Sequence, residues 1–346
     1  MNESEKGHTP IGNLGKFGLI EHLAGRAERG NKTTVLGIGD DAAVIDTGKK
    51  YTLVSTDLLL EGIHFNLIYT PLKHLGYKAV IRGISDIYAM NGIPSQILIA
   101  LGISSKFSIE QIDEIYEGIY LACNKYKLDL AGGDTSSSMT GLTISVTAIG
   151  TVEKERLVKR SGAKPNDLIC VTGDFGASYM GLQLLERERK LFIKEKIQQP
   201  DLAGYEYLVG RQLKPEIPVS ILTELSQAGI IPTSMIDVSD GLASDLIHIC
   251  KASGTGSRIY YEKIPVDYET SKLAEEFKID PVITALNGGE DYEFLFTVVL
   301  EQFEIIKNIS TVKVIGHITA PDSGNYLIGD DGSEVEIKAQ GWGTQK

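Results

Sequence analysis

Six short strings in the chain combine small residues with one or two carboxylates: GIGDDAA (37–43), STD (55–57), SD (85–86), GGDTS (132–136), DVSDG (237–241) and GGEDYE (288–293). Asp and Gly favour turns and helix caps, so any one string reads as a solvated turn. Glycines beside an apolar run also let backbone approach a phosphate. A bare carboxylate repels phosphate, however, so the adjacent Asp40 and Asp41 do not fit a simple anion loop. Either that pair is a turn, with Asp40 capping it or orienting Asp41, or a cation stands between the pair and its ligand. Magnesium takes carboxylate oxygens, keeps water, and is commonly held together with substrate phosphates. Dispersed Asp residues converging from strand ends would make a multi-metal phosphate site. Spacing alone leaves both readings open.

Other machinery for the same chemistry is missing. No G-x-x-x-x-G-K-[ST] string occurs, which excludes a P-loop. No G-x-G-x-x-G follows a strand, and no protein-kinase catalytic-loop set is present. The S-D and S-x-D strings lack a histidine partner, which argues against a serine hydrolase.

The elements that must position these strings follow from hydrophobic periodicity. LGKFGLIEHLAGRAERG has helical spacing, and YTLVSTDLLL reads as a strand. LKHLGYKAVIRGISDIYAM reads as a helix closed by Asn91-Gly92 and Pro94. SQILIALGIS is a strand, SIEQIDEIYEGIYLACNKY a helix with a Ser108–Gln111 capping box, and LDLAGGDT and LTISVTAIGTVE two further strands. This order predicts an α+β sandwich with helices on one face of a sheet. The charged, Gly/Pro-punctuated segment from Glu153 to Pro165 marks a domain junction, giving domains of 1–153 and 154–346. In the second half, DLICVTG is a strand and GASYMGLQLLERE a helix, with a longer helical region running to about Gln227. TSMIDVSDGLASDLIHICKASG reads as strand, tight turn, helix; SRIYYEK, DYEFLFTVV, VKVIGHI and a NYLIGDDGSEVEI hairpin supply the remaining strands.

With 346 residues, 42% hydrophobic, the chain is long enough for two cores. A net charge of −12 argues against electrostatic nucleic-acid binding, although divalent metal can reverse the local sign. Cys123, Cys170 and Cys250 lie far apart in apolar segments, which predicts buried free thiols in a reducing cytoplasm. A polar N-terminus and the lack of any long apolar run predict neither export nor a membrane span.

GIGDDAAV, STDLLLEGIHF, SDIYAMNGIP, LAGGDTS, KRSGAKPND, IDVSDGLASDL and NGGEDYEFLF occur in one order, and in that order the chain resembles the thiamine-monophosphate kinase family. That family belongs to the aminoimidazole-ribonucleotide-synthetase-like ATP-binding superfamily. The resemblance runs from about Leu14 to Trp342. It implies a two-domain fold, a homodimer formed through the N-terminal sheets, and a C-terminal α/β sandwich. It implies ATP-dependent phosphorylation of thiamine monophosphate to thiamine diphosphate by direct transfer, assisted by several Mg²⁺ ions. By motif, Asp41, Ser55, Thr56, Asp57, Asp86, Asp134, Asp237 and Asp240 match metal ligands. Tyr116, Gly133, Asp134, Arg160 and Ser239 match ATP contacts, and His64, Glu290 and Trp342 match contacts to the thiamine substrate. No general base is implied. The competing readings are a related synthase, such as aminoimidazole ribonucleotide synthetase, and a metal-dependent nucleotide-binding regulator without turnover. GGEDYEFLF argues against the synthase, and the lack of a reactive Cys near the N-terminus argues against selenophosphate synthetase.

Overall fold

A computed structural model describes residues 15–24, 30–195 and 201–338. Two mixed sheets carry the fold, one from each half of the chain. The first contains β1 (Thr34–Leu36), β2 (Ala43–Asp46), β3 (Lys50–Leu60), β4 (Ile93–Ile103), β5 (Asp129–Ser137) and β6 (Thr143–Glu153) in the order β1-β2-β3-β6-β4-β5. All its pairings are antiparallel except β4 with β5, where the chain crosses over through a helix. The second contains β7 (Leu168–Thr172), β8 (Ser234–Asp237), β9 (Gly256–Tyr260), β10 (Phe294–Val298), β11 (Val312–Thr319), β12 (Asn325–Ile328) and β13 (Glu334–Glu336), ordered β13-β12-β9-β11-β7-β10-β8.

Helix α1 spans Gly15–Ala24. The two long helices of the first half, α2 (Leu72–Ala89) and α3 (Ile109–Tyr126), pack together, and α2 lies on β3, β4 and β6. Helix α2 is buried along most of its length and ends where Asn91 turns left-handed (φ 58°), with the Gly92 amide donating to the Ile87 carbonyl. Helix α3 begins with the expected box: Ser108 accepts from the Gln111 amide and Gln111 accepts from the Ser108 amide.

The second half adds α4 (Ala177–Glu195), α5 (Glu206–Leu213), α6 (Ser220–Gln227), α7 (Leu242–Ser253), α8 (Tyr268–Glu276), α9 (Pro281–Asn287) and the short α10 (Phe303–Ile306). The helical stretch expected to continue to Gln227 is divided into α4, α5 and α6. Pro215 and Pro218 sit in the last of these breaks, where neither can supply a helical amide. Helices α8 and α9, absent from the sequence reading, each start on an Asp whose side chain accepts from a backbone amide of the first turn.

Strands β7, β8 and β10 are buried on both faces. Phe294, Phe296 and Met235 join Leu53, Ile84 and Ile87 in one apolar core that spans the two sheets. Leu295 and Ile169 face a second core with Leu246 and Ile249 of α7. Each fully buried Phe or Leu contributes roughly 1.5–3 kcal/mol by transfer from water. Helix α2 therefore sits between the first sheet and the second half, and its polar stripe can reach both. The three cysteines are buried and unpaired. Among the described residues, no helix is long and apolar enough to cross a membrane.

Candidate active site

Three carboxylates converge where the two halves meet. Asp41 comes from the turn before β2, Asp86 from α2 and Asp237 from the end of β8, and each offers an oxygen within 4.8 Å of the others. Arg160 reaches Asp41 Oδ1 through Nη2 (2.6 Å) and Nε (3.1 Å), and its backbone amide donates to Asp40 Oδ1 (3.2 Å). Asp40 also accepts from the Asp41 amide, so it holds the backbone of its neighbour. Ser85 donates to Asp237 Oδ2 at 2.6 Å, tying α2 to β8. Ser55 donates to the Gly83 carbonyl at 3.0 Å, tying β3 to α2.

The electrostatics of this cluster are unfavourable as it stands. Burial, then repulsion from Asp41, pushes the Asp237 carboxyl up to about 7. Burial, then repulsion from Asp57, Asp237 and Asp41, holds Asp86 well above the ordinary range. Burial also raises Asp41, against the pull of Arg160. Asp41 Oδ2 is buried with no hydrogen-bond partner. All-oxygen, anionic and under-satisfied, the cluster has the donor set of a hard divalent cation, so the residues fit magnesium.

From the cluster, Asp57 leads into a cleft of about 790 Å³, also lined by His64, Tyr69, Arg82, Ser239, Asp240 and Glu290. That volume is in the range of small-molecule sites, about 300–1,000 Å³. Asp57 accepts from Arg82 Nε at 2.9 Å, and Glu290 accepts from Lys78 Nζ at 2.7 Å and Arg82 Nη1 at 3.4 Å. Burial would raise Glu290, but the Lys78 ammonium and then Arg82 outweigh it and hold the carboxyl below its usual range. His64 sits at the end of β3, where its Nδ1 accepts from the Leu60 amide.

Glu290 and Tyr292 both adopt positive φ (57° and 54°), directly after Gly289 at φ 73°. Non-glycine residues hold such angles only where their surroundings over-determine them. Here the Glu290 amide donates to the Ser239 carbonyl and the Tyr292 amide to Val238, so the two acidic loops lock together. A Cβ on Gly289 would lie 2.6 Å from the Ser239 carbonyl oxygen.

A second hollow, on the first sheet's edge strand, is lined by Tyr116 of α3 and by Gly132, Gly133, Asp134 and Thr135 of β5. Gly133 presses on β4: a Cβ there would lie 1.8 Å from the Ile99 carbonyl oxygen. Asp134 is exposed. Thus the structure groups Asp41, Asp86, Asp237 and Arg160, places Asp57, His64, Ser239, Asp240 and Glu290 around the adjoining cleft, and sets Tyr116, Gly133 and Asp134 apart. Thr56 points to the opposite face of β3, its hydroxyl 3.2 Å from that of Thr147. Any metal contact from Thr56 would therefore come from its main chain. Trp342 lies outside the described residues.

Sequence reasoning missed Lys78 and Arg82, although a visible signal was present. With Asp86 they recur at every fourth position of a largely buried helix, one stripe facing the second half. It also missed Asp245, a buried carboxylate in α7 that accepts from the Asp240 amide at 3.2 Å.

The AIR synthase related protein N-terminal domain family matches residues 39–152. Thiamine-monophosphate kinase of Bacillus subtilis is 34% identical over 95% of this chain and 99% of its own length. The Aquifex aeolicus enzyme of that name is 34% identical over 95% of this chain and 97% of its own. Among solved structures, AaThiL complexed with AMPPCP and TMP superposes with a TM-score of 0.80 at 32% identity, covering 97% of this chain and 98% of that one. The chain belongs to the thiamine-monophosphate kinase family.

Proposed function

We propose that the chain transfers the γ-phosphoryl group of ATP to the phosphate of thiamine monophosphate, giving ADP and thiamine diphosphate. The observation that carries this reading is the convergence of Asp41, Asp86 and Asp237 within 4.8 Å, with Asp57 leading from them into the cleft. The relatives' names and the AMPPCP and TMP complex of a similar structure support the choice of donor and acceptor.

Asp41, Asp57, Asp86, Asp237 and Asp240 would hold several magnesium ions, with Ser55, the Thr56 main chain and Asp134 as further ligands. When bound, magnesium neutralises the charge of the transferring group and of the oxygens that receive and release it. The chain's own residues do the remaining work. Arg160, already set on Asp41, contacts ATP phosphate, and Ser239, Gly133, Asp134 and Tyr116 complete the nucleotide contacts. His64, Glu290 and Trp342 orient the acceptor. An acceptor phosphate oxygen attacks the γ-phosphorus in line, the bond to the β–γ bridging oxygen breaks, and ADP leaves. The attacking phosphate is largely ionised at neutral pH, so no side chain need remove a proton.

Each sheet anchors one of two domains, 1–153 and 154–346, which share the apolar core around α2. The first sheet's face opposite α2 carries Leu58, 48% exposed, and no described helix covers it; a second copy packed on that face would make a C2 homodimer. The enzyme is cytoplasmic, with neither nucleic acid nor membrane as a partner.

Incubation with ATP, Mg²⁺ and thiamine monophosphate should yield ADP and thiamine diphosphate in equal amounts by chromatography. Metal-dependent ATP binding without thiamine diphosphate would mark a regulator instead. ADP formation with an unrelated acceptor would mark a synthase.

A further inference from the structure

The acceptor cleft is lined by four carboxylates, Asp57, Glu186, Asp240 and Glu290, and among its described lining residues Arg82 is the one Lys or Arg. A phosphate monoester carries about −1.5 to −2 charge at neutral pH. It would enter this wall against net negative charge, and the wall offers one guanidinium to meet it. Arg82 lies four residues before Asp86 on α2, about 6 Å along the helix axis. A rigid element thus fixes its distance from the acidic cluster.

The guanidinium is held in a way that permits exchange. Its Nε bond to Asp57 is 2.9 Å, whereas Nη1 to Glu290 is 3.4 Å, and the side chain keeps 18% exposure. Those two bonds use two of five donors. Glu290 keeps a second partner, Lys78 Nζ at 2.7 Å, itself anchored on the Gln212 carbonyl at 2.8 Å. Departure of Arg82 from Glu290 therefore leaves no unpaired buried charge behind, the costly outcome in such networks.

We infer that Arg82 binds the phosphate of the acceptor, giving up its long contact with Glu290 for phosphate oxygens while Nε stays on Asp57. This rests on the reading of thiamine monophosphate as acceptor. Arg160 on Asp41 stands in the matching position for the donor.

The test uses the full chain with Mg²⁺ and a non-transferable ATP analogue, titrated calorimetrically with thiamine monophosphate and, separately, with thiamine. Wild type should prefer the monophosphate. Arg82→Gln should weaken the monophosphate at least about tenfold and leave thiamine unchanged, as expected for losing a charged hydrogen bond. The KM for thiamine monophosphate should rise by a similar factor while that for ATP holds. Arg82→Lys, which keeps charge without the planar fork, should recover part of the loss. An equal loss for both ligands, or a shifted Mg²⁺ requirement at an unchanged ratio, would overturn the inference and leave Arg82 as a counterion of Asp57. Should Arg82→Gln not fold, Arg82→Lys takes its place: several-fold loss for the monophosphate against thiamine is expected, and an unchanged ratio overturns the inference. A wild type that binds both alike and makes no thiamine diphosphate would instead overturn the functional reading, and this inference with it.

Discussion

Two groups of three carboxylates lie close to each other in this fold and are treated in opposite ways. Glu290, Asp291 and Glu293 are met from inside the protein. Lys78 and Arg82 hold Glu290, Arg211 reaches Glu293 at 2.9 Å and Asp291 at 3.7 Å, and the Gly176 and Ser178 amides donate to Asp291. Asp41, Asp86 and Asp237 share one arginine, Arg160, and leave Asp41 Oδ2 unsatisfied. Burial raises Asp291 to about 7, just as it raises Asp237, so acidity alone does not separate the two groups. The inventory of partners does. Carboxylates matched by internal countercharge brace a loop, and carboxylates that outnumber it need a cation from solution.

Neutralising one carboxylate of the cation group should sharpen the contrast most strongly. Asp237→Asn or Asp86→Asn should lower turnover by at least about a hundredfold, the usual loss when one preorganised electrostatic contact is removed. The same substitutions should raise the metal-free melting temperature above wild type, because repulsion among three buried carboxylates is relieved. ADP release and unfolding in the presence of a chelator check the two halves of this expectation. A melting temperature that falls would show that the cluster is internally satisfied.

Removing the countercharge of the braced group should act the other way. Arg211→Met leaves Asp291 and Glu293 without their cation, and breaking such buried pairs costs about 3–5 kcal/mol. Urea unfolding should show this loss with and without Mg²⁺ alike. A loss that Mg²⁺ restores would mean that this group also takes a cation.

A smaller effect is expected at Glu290. Glu290→Gln should cost roughly 1–3 kcal/mol, the range for charge-assisted bonds. Because the Glu290 carboxyl is held below its ordinary value, its contribution is present above the unfolded pKa, about 4.3, and fades as pH falls through the lower folded value. The wild-type advantage over Glu290→Gln should therefore shrink in acid; an advantage that grows there would reverse the assigned sign. Least of all, Thr56→Val should change the stability of a single copy by no more than about 0.5 kcal/mol, since among the described residues its hydroxyl meets Thr147 and the residue is otherwise exposed. Turnover should hold if Thr56 contributes its carbonyl, and a large loss of turnover would assign the role to the hydroxyl.

The sequence made much of this legible because GIGDDAA, DVSDG and GGEDYE flank the ends of strongly patterned elements, although STD, SD and GGDTS lie inside β3, α2 and β5. The capping box at Ser108, the left-handed stop at Asn91 and the β8-turn-α7 unit were all readable from local chemistry. What was not readable depends on packing. Alternation along β3 places Ser55 and Asp57 on the α2 side and turns Thr56 outward, yet all three belong to one string. The STD string gives no sign of which face is covered until α2 is laid on the sheet. The spacing of Lys78 and Arg82 marks them as a stripe, but their partners are set by packing: Asp57 on β3 receives Arg82, and Gln212 and Glu290, 134 and 212 residues after Lys78, receive Lys78.

The contrast between the two groups is tested most directly by a Mg²⁺ titration of melting temperature, in wild type and in Asp237→Asn, starting from metal-free protein near pH 7.5. A ligand at about a hundred times its Kd stabilises by about 2.7 kcal/mol. Wild type should start lower and climb by several degrees, whereas Asp237→Asn should start higher and respond little. A wild type that stays flat, or two proteins that climb together, would contradict the assignment of Asp41, Asp86 and Asp237 as the cation site.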